Sequence, residues 1–377
     1  MSSNGQDRAL VLLQMVGGND YLNTIVPYSN GLYYDARPLI AHEADSVLKI
    51  DDEVGFRPGL EPIKKLWDDG KVAIINGIGY ANPNRSHFRS RDIWDTALPE
   101  TVGTEGWLGR AIRDLDPRGD NVLTGVNFGR GLPRALACKG VPVASVGDLE
   151  TYGLFPDMAD ESAKELAVEV FSRMYGGAQG KEAVMGFLGQ TATDALKGVD
   201  IIRTAPVSYS SGVEYASNGI ANGLKSAAQV MFADLGTRIY YTQYGSFDTH
   251  SGEQMKHDQL WRDTAEAVGD FWDDVTEHGL DDDTVVFMFS EFGRRVRDNG
   301  SGTDHGSGGV AFVIGNSVKG GMYGDLPSLR EKDLLEGDLH FNNDFRQTYT
   351  SLLQDWLGLD APSIVNGQFE PLDFIAN

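Results

Sequence analysis

The sequence predicts an α/β protein: a mainly parallel sheet flanked by helices on both faces, with one inserted helical segment. Three observations point there. The short unbroken apolar run Val285–Phe289 is rich in branched and aromatic residues and too short for a buried helix, so it reads as a fully buried strand, and Ala9–Val16, apolar but for Gln14, reads as another. Amphipathic stretches of helical period alternate with them. Between residues 145 and 215 that alternation lapses, and two helical stretches stand side by side with no strand between them.

Taken in order, Ala9–Val16 is the first central strand, and it ends in Gly17-Gly18-Asn19-Asp20, where two glycines allow a sharp turn and a close approach. Tyr28–Pro38 holds a loop and a short helix. Leu60–Asp69 is amphipathic, with Leu60, Ile63, Leu66 and Trp67 on one face, and Gly70 closes it. Val72–Ile78 is the next strand; it runs out through Arg85-Ser86-His87 into a helix reaching Ala97. A helix at Trp107–Leu115 and a strand near Val122–Phe128 continue the pattern. Ala159–Tyr175 and Lys181–Leu196 are the helices of the 145–215 insertion, which is placed to act as a lid within a single domain spanning 1–377. A helix over Gly219–Ala233 follows, then a strand at Arg238–Tyr244 and a long helix over Glu253–His278. Val285–Phe289 and Val310–Ile314 are the last two strands. Asp344–Leu357 is an amphipathic helix, and Phe369–Phe374 reads as a tail.

Composition narrows the function. With 32 basic against 55 acidic residues the net charge is −23, so nucleic-acid backbones and anionic membranes are excluded as partners. Cys138 is the single cysteine, which rules out an intramolecular disulfide and a cysteine-based zinc site. No apolar run approaches the ~18 residues of a membrane span. The opening MSSNGQDRA lacks a basic region, an apolar core and a twin arginine. It fits a cytoplasmic protein, or an exported one whose twin-arginine signal has been removed.

The chemistry concentrates where strands end. Open α/β sheets bind ligands at the carboxyl ends of their strands, and Asp20, Ser86, Asp248, His250, Glu291, Asp304 and His305 all fall on such exits. Asp248 and His250 are two apart in an extended segment and so point the same way. Ser86 sits near a helix N-terminus, where free N–H groups favour an anion, and a hydroxyl there can serve as a nucleophile. Each feature also has a bland reading as a cap, a turn or a surface ion pair. Together, acids, imidazoles and a hydroxyl on one rim make the donor set of a two-metal ester hydrolase. His87 could steady a substrate, Arg85 could bind its oxygens, and Glu291 could instead pair with Arg294 and Arg295. His42, His257, His278 and His340 read as surface or internally satisfied histidines.

Arg8–Pro27 with its GGND turn, the Gly77–His87 segment, Phe247-Asp248-Thr249-His250, Ser290-Glu291-Phe292-Gly293-Arg294, Thr303-Asp304-His305-Gly306 and Asp344-Phe345-Arg346 through Trp356-Leu357-Gly358 jointly resemble the DUF1501 family of the alkaline phosphatase/sulfatase superfamily. The resemblance spans nearly the whole chain. It implies an alkaline phosphatase-like fold and a bimetal site. In that site Asp20 and Glu291 would bind one ion, Asp248, His250 and His305 the other, and Ser86 would be the nucleophile. The sequence departs from the superfamily pattern in two ways: Phe292 stands where a ligand histidine is usual, and Asp248-x-His250 is shorter than the usual spacing. Asn19, Asp304 or Ser86 would then fill the shell of the second ion, or one ion alone would bind. The signature used to make formylglycine is absent.

The expectation is therefore a metal-dependent hydrolase of phosphate or sulfate esters, acting on a small-molecule or saccharide ester. Ser86 or a metal-bound water attacks, and His87 assists. Arg85, Asn19 and Arg294 hold substrate. Asp20, Asp248, His250, Glu291, Asp304 and His305 hold one or two divalent ions, with zinc or manganese ahead of calcium or magnesium. Two alternatives stand beside it: a degenerate, non-catalytic binding relative, and a phosphoryl mutase or transferase.

Overall fold

Strand β1, Ala9–Met15, lies inside a nine-stranded sheet and is buried along its whole length. The other strands that matter here are β2 (Val72–Gly79), β3 (Gly125–Phe128), β4 (Ala144–Val146), β5 (Ile239–Tyr244), β6 (Thr284–Phe289), β7 (Arg294–Asp298), β8 (Thr303–His305), β9 (Gly309–Ile314), β10 (Gly321–Tyr323) and β11 (Asn343–Asp344). The order across the sheet is β10-β2-β9-β6-β1-β5-β3-β4, with β11 beside β2. β1 runs parallel to both β5 and β6. β9 alone runs antiparallel, against β2 and β6. The computed structural model describes residues 8–149, 160–176, 194, 198–199 and 201–376.

Alternation along β1 divides the core between two faces. Val11, Leu13 and Met15 join one apolar cluster, with Ile63 and Leu66 of helix α1 (Glu61–Asp68) and residues of two later helices on the same face, Gly219–Phe232 and Glu253–Glu277. Leu10 and Leu12 join the other, with Trp94 of α2 (His87–Thr96), Trp107 of α3 (Trp107–Leu115) and the helix Phe345–Ser351. Both faces are covered, as all-apolar parallel strands require.

The expected strands and helices appear within a few residues of their predicted bounds. Of the insertion, Glu161–Gly176 is a helix, and Lys181–Leu196 lies almost wholly outside the described residues. The tail expectation is corrected. Phe374 is fully buried, and its carbonyl accepts from Lys319 N at 2.8 Å, so it docks on the core. The β7–β8 ribbon was not foreseen; it is short and polar and carries no apolar period. Among the described residues no helix is long and apolar enough to cross a membrane.

Topology assembles the rim. β1, β2, β5 and β6 all run the same way, so their exits share one edge. Asp304 and His305 precede β9 instead of following a strand, yet they reach that edge because β9 is the reversed strand.

Candidate metal centre

Four side chains from two strand exits and the β8 ribbon meet at this edge. Asp248 Oδ1 lies 3.0 Å from His305 Nε2 and 3.1 Å from His250 Nε2. The two imidazole Nε2 atoms are 3.0 Å apart. His87 Nε2 stands 3.4 Å from Asp248 Oδ2, and the ligand atoms of His87, Asp248 and His305 all lie within 4.8 Å of one another. Zinc–ligand bonds of ~2.0–2.1 Å at tetrahedral angles put ligand atoms about 3.3 Å apart, close to this spacing.

The far side of each ring fixes its tautomer. His305 Nδ1 is 2.7 Å from the Arg85 carbonyl, which can only accept, so that nitrogen carries the proton. His87 Nδ1 is 2.9 Å from Glu291 Oε1, and His250 Nδ1 is 3.1 Å from Asp304 Oδ1. With their Nδ1 atoms engaged outward, the three rings turn Nε2 toward one carboxylate. Lone pairs at 3.0 Å repel unless a cation lies between them. His87 Nε2 is also buried without a hydrogen-bond partner. Donor type, spacing and this orphaned nitrogen all fit a divalent ion. Imidazoles backed by carboxylates or carbonyls are the usual support of a metal ligand.

The backbone is built for this approach. Gly17 has φ +120°, and a Cβ there would sit 2.4 Å from Asp248 N. Arg294 ties the loops together while fully buried: Nε donates to Gly18 O (2.7 Å), Nη1 to Thr303 O (2.9 Å), and Nη2 to Phe247 O (3.1 Å) and Asp248 Oδ1 (2.7 Å). Partial burial opposes the charge on Asp248, but the hydrogen bond and the charge of Arg294 outweigh it and bring the pKa down to about 2. The Glu291 hydrogen bond raises the proton affinity of His87.

Several expected roles change. Arg294 has no exposed surface and spends its donors on the backbone and Asp248, so it cannot grip substrate. The Arg85 side chain pairs with Asp338 at 2.7 Å and the residue serves the centre through its carbonyl. Glu291 and Asp304, expected as ligands, stand behind His87 and His250. Asp20 is fully buried and engaged by both terminal nitrogens of Arg37, one at 2.9 Å; burial alone would raise its pKa, but that guanidinium holds it well below the carboxylate range. Asn19 is buried as well, its Oδ1 accepting from Trp261 Nε1 and facing His257 Nε2, each at 3.0 Å. The Phe292 ring packs against His87 and His305 at centroid distances of 4.9 and 4.8 Å. Where a second ion was expected, the chain has an internal cation and an aromatic wall. Ser86 is the exposed N-cap of α2 and makes no side-chain capping bond.

The sequence reading missed His87 as a ligand candidate, although it follows a strand exit like the others. It also missed the buried set Arg37, Arg57, Glu253 and His257, which adjoins Asp20 and Asn19. His257 is satisfied internally, as expected.

Solved structures similar to this one include the lipoteichoic acid synthase LtaP from Listeria monocytogenes (10% identity, 90% of this chain and 75% of that one, TM-score 0.37). A protein of the alkaline phosphatase superfamily from Vibrio parahaemolyticus matches at 11% identity over 96% and 69%, TM-score 0.37. A phosphonate monoester hydrolase of Agrobacterium radiobacter matches at 14% identity over 96% and 78%, TM-score 0.33. No curated protein matches the chain. The family model described as "Protein of unknown function (DUF1501)" matches residues 157–365. That match takes in more than half of the chain, which therefore belongs to the DUF1501 family.

Proposed function

We propose that the protein is a metal-dependent hydrolase of phosphate or sulfate esters, acting on a small-molecule or saccharide substrate. The observation that carries this reading is the convergence of His87, His250 and His305 Nε2 on the Asp248 carboxylate at an open rim, each ring backed by an acceptor. One nitrogen-rich site suits zinc first and manganese next, ahead of calcium or magnesium. When bound, such an ion supplies Lewis-acid stabilisation of an ester oxygen and offsets its charge.

The chain's own residues do the rest. Asp248, kept ionised by Arg294, brings the one negative donor. Phe292 closes one side of the centre against water. Ser86 stands beside His87 with its hydroxyl unengaged by the helix. Its Oγ would form the new bond to phosphorus or sulfur as the alcohol leaves with the serine's proton. Water would then cleave the seryl ester to free the inorganic anion and restore Ser86, and the free N–H groups of the first turn of α2 would meet the ester's remaining oxygens.

Elemental analysis joined to turnover tests this. His305→Ala and Asp248→Ala should retain under about a tenth of the wild-type metal and lose hydrolysis of 4-nitrophenyl phosphate and sulfate, with far-UV circular dichroism unchanged. Full activity in both variants would overturn the reading. Arg37 on Asp20 and Phe292 at the rim favour a second reading, a non-catalytic relative that binds a ligand through a reduced site. Under that reading the purified protein holds metal but turns over neither ester.

A further inference from the structure

A cleft of about 350 Å³ opens along α2, the helix that begins at His87, and is closed on its other side by the loop after β3. Its wall includes Phe88, Arg91, Asp95, Arg130, Arg134 and Gln243. Three arginines line this small cleft in a chain of net charge −23. Of these three, only Arg134 is met by an ion pair among the described residues. Asp92, also in the wall, is already shared between Arg89 and Arg134, the latter at 3.0 Å. Asp95 is 6% exposed with an unpartnered Oδ1, and burial pushes its pKa up to about 7. Arg91 makes only a long 3.4 Å contact with Gln243 Oε1, and Arg130 has no ion pair among the described residues. Phe88 lies 91% exposed at the mouth, an apolar face with nothing on it.

The helix sets the scale. His87, Arg91 and Asp95 are spaced i, i+4, i+8 on α2, so they form one stripe. Four residues rise about 6 Å, which is the distance across a six-membered ring with a substituent at each end. A ring of that size on an ester held at His87 would span the rise to Arg91.

We propose that this cleft is a subsite for a second anion on the alcohol side of the substrate, carried on a flat or ring-shaped group that packs on Phe88. The substrate class is then a doubly anionic ester, the anion being a carboxylate or a further ester oxyanion. This inference rests on the hydrolase reading above for its placement and not for its binding.

Matched esters test it: phenyl phosphate against 4-carboxyphenyl phosphate, and the corresponding pair of sulfates. The metal-loaded wild type should favour the carboxylated ester by about tenfold or more in kcat/KM, the size of one charge-assisted contact. In Arg91→Ala and Arg130→Ala that ratio should fall toward one, and in Arg130→Glu it should fall below one. A wild-type ratio near one, or a ratio unchanged in all three variants, overturns the subsite. Calorimetric titration of chelator-treated protein with the same phosphates reads binding without turnover. If the loaded protein cleaves neither ester while the stripped protein still prefers the carboxylated one, the subsite stands and the hydrolase reading falls. If turnover is present and the preference is absent, the reverse holds. Phe88→Ser, at a position exposed enough to leave folding intact, should weaken binding of both phosphates; no effect on either removes the aromatic part of the proposal.

Discussion

A single proton on each imidazole decides whether this rim attracts a cation or repels itself. The Arg85 carbonyl, Glu291 and Asp304 each face the Nδ1 of one ring as an acceptor, leaving the three Nε2 atoms turned inward. Glu291 is the most consequential of these partners: it is wholly buried, anchored by Gly17 N at 3.0 Å, and it raises the basicity of His87. Glu291→Gln keeps the shape and removes the charge, so metal affinity should drop by about 10–100-fold in chelator competition. An unchanged affinity would mean that His87 is not a ligand. Ser86→Ala separates the two possible attacking groups. If Ser86 attacks, kcat should fall by about 10³-fold with metal content intact; a rate within a fewfold of wild type assigns attack to water.

At the scale of elements, the buried start of the helix Glu253–Glu277 supports the centre from behind. Glu253 accepts from Thr303 Oγ1 at 2.7 Å and from Asn23 Nδ2 at 3.1 Å, so it ties the ribbon carrying His305 to the loop after β1. Burial, and then the nearby Asp20 charge, push its pKa up to about 8. A carboxyl with a raised folded pKa binds its proton more tightly when folded, so its contribution is present below the unfolded value near ~4.3 and is lost as pH climbs toward the folded value. Glu253→Gln mimics the protonated form, and its melting temperature should gain on wild type by a few degrees between pH 5.5 and 8. Parallel curves for the two proteins would show that Glu253 does not titrate in that window. The elements themselves were readable because buried parallel strands such as β1 and β6 are continuous apolar runs, and the rim was readable because function collects where such strands stop. The pairings were not readable. Arg37 reaching Asp20, Phe292 packing on His87 and Glu291 backing His87 are contacts between residues 17, 205 and 204 positions apart, and no local period encodes them.

For the whole molecule, the centre is a place where distant parts of the chain meet through polar side chains. His87 follows β2, Asp248 and His250 follow β5, and His305 closes the β7–β8 ribbon. An ion shared among them would bind the folded chain and not the unfolded one, so occupancy must appear as stability. At a free metal concentration one hundred times Kd the gain is about 2.7 kcal/mol, and it grows by about 1.4 kcal/mol for each further tenfold. The melting temperature of the wild type should therefore rise stepwise with added zinc and fall when the ion is chelated. His305→Ala should melt at one temperature throughout, because its site no longer holds the ion. The same titration distinguishes a specific site from the general attraction of a chain of net charge −23 for cations. That attraction is screened within about 8 Å at physiological salt, so a nonspecific rise should vanish at higher ionic strength and persist in His305→Ala, whereas the rise due to the centre should survive salt and be absent in the variant.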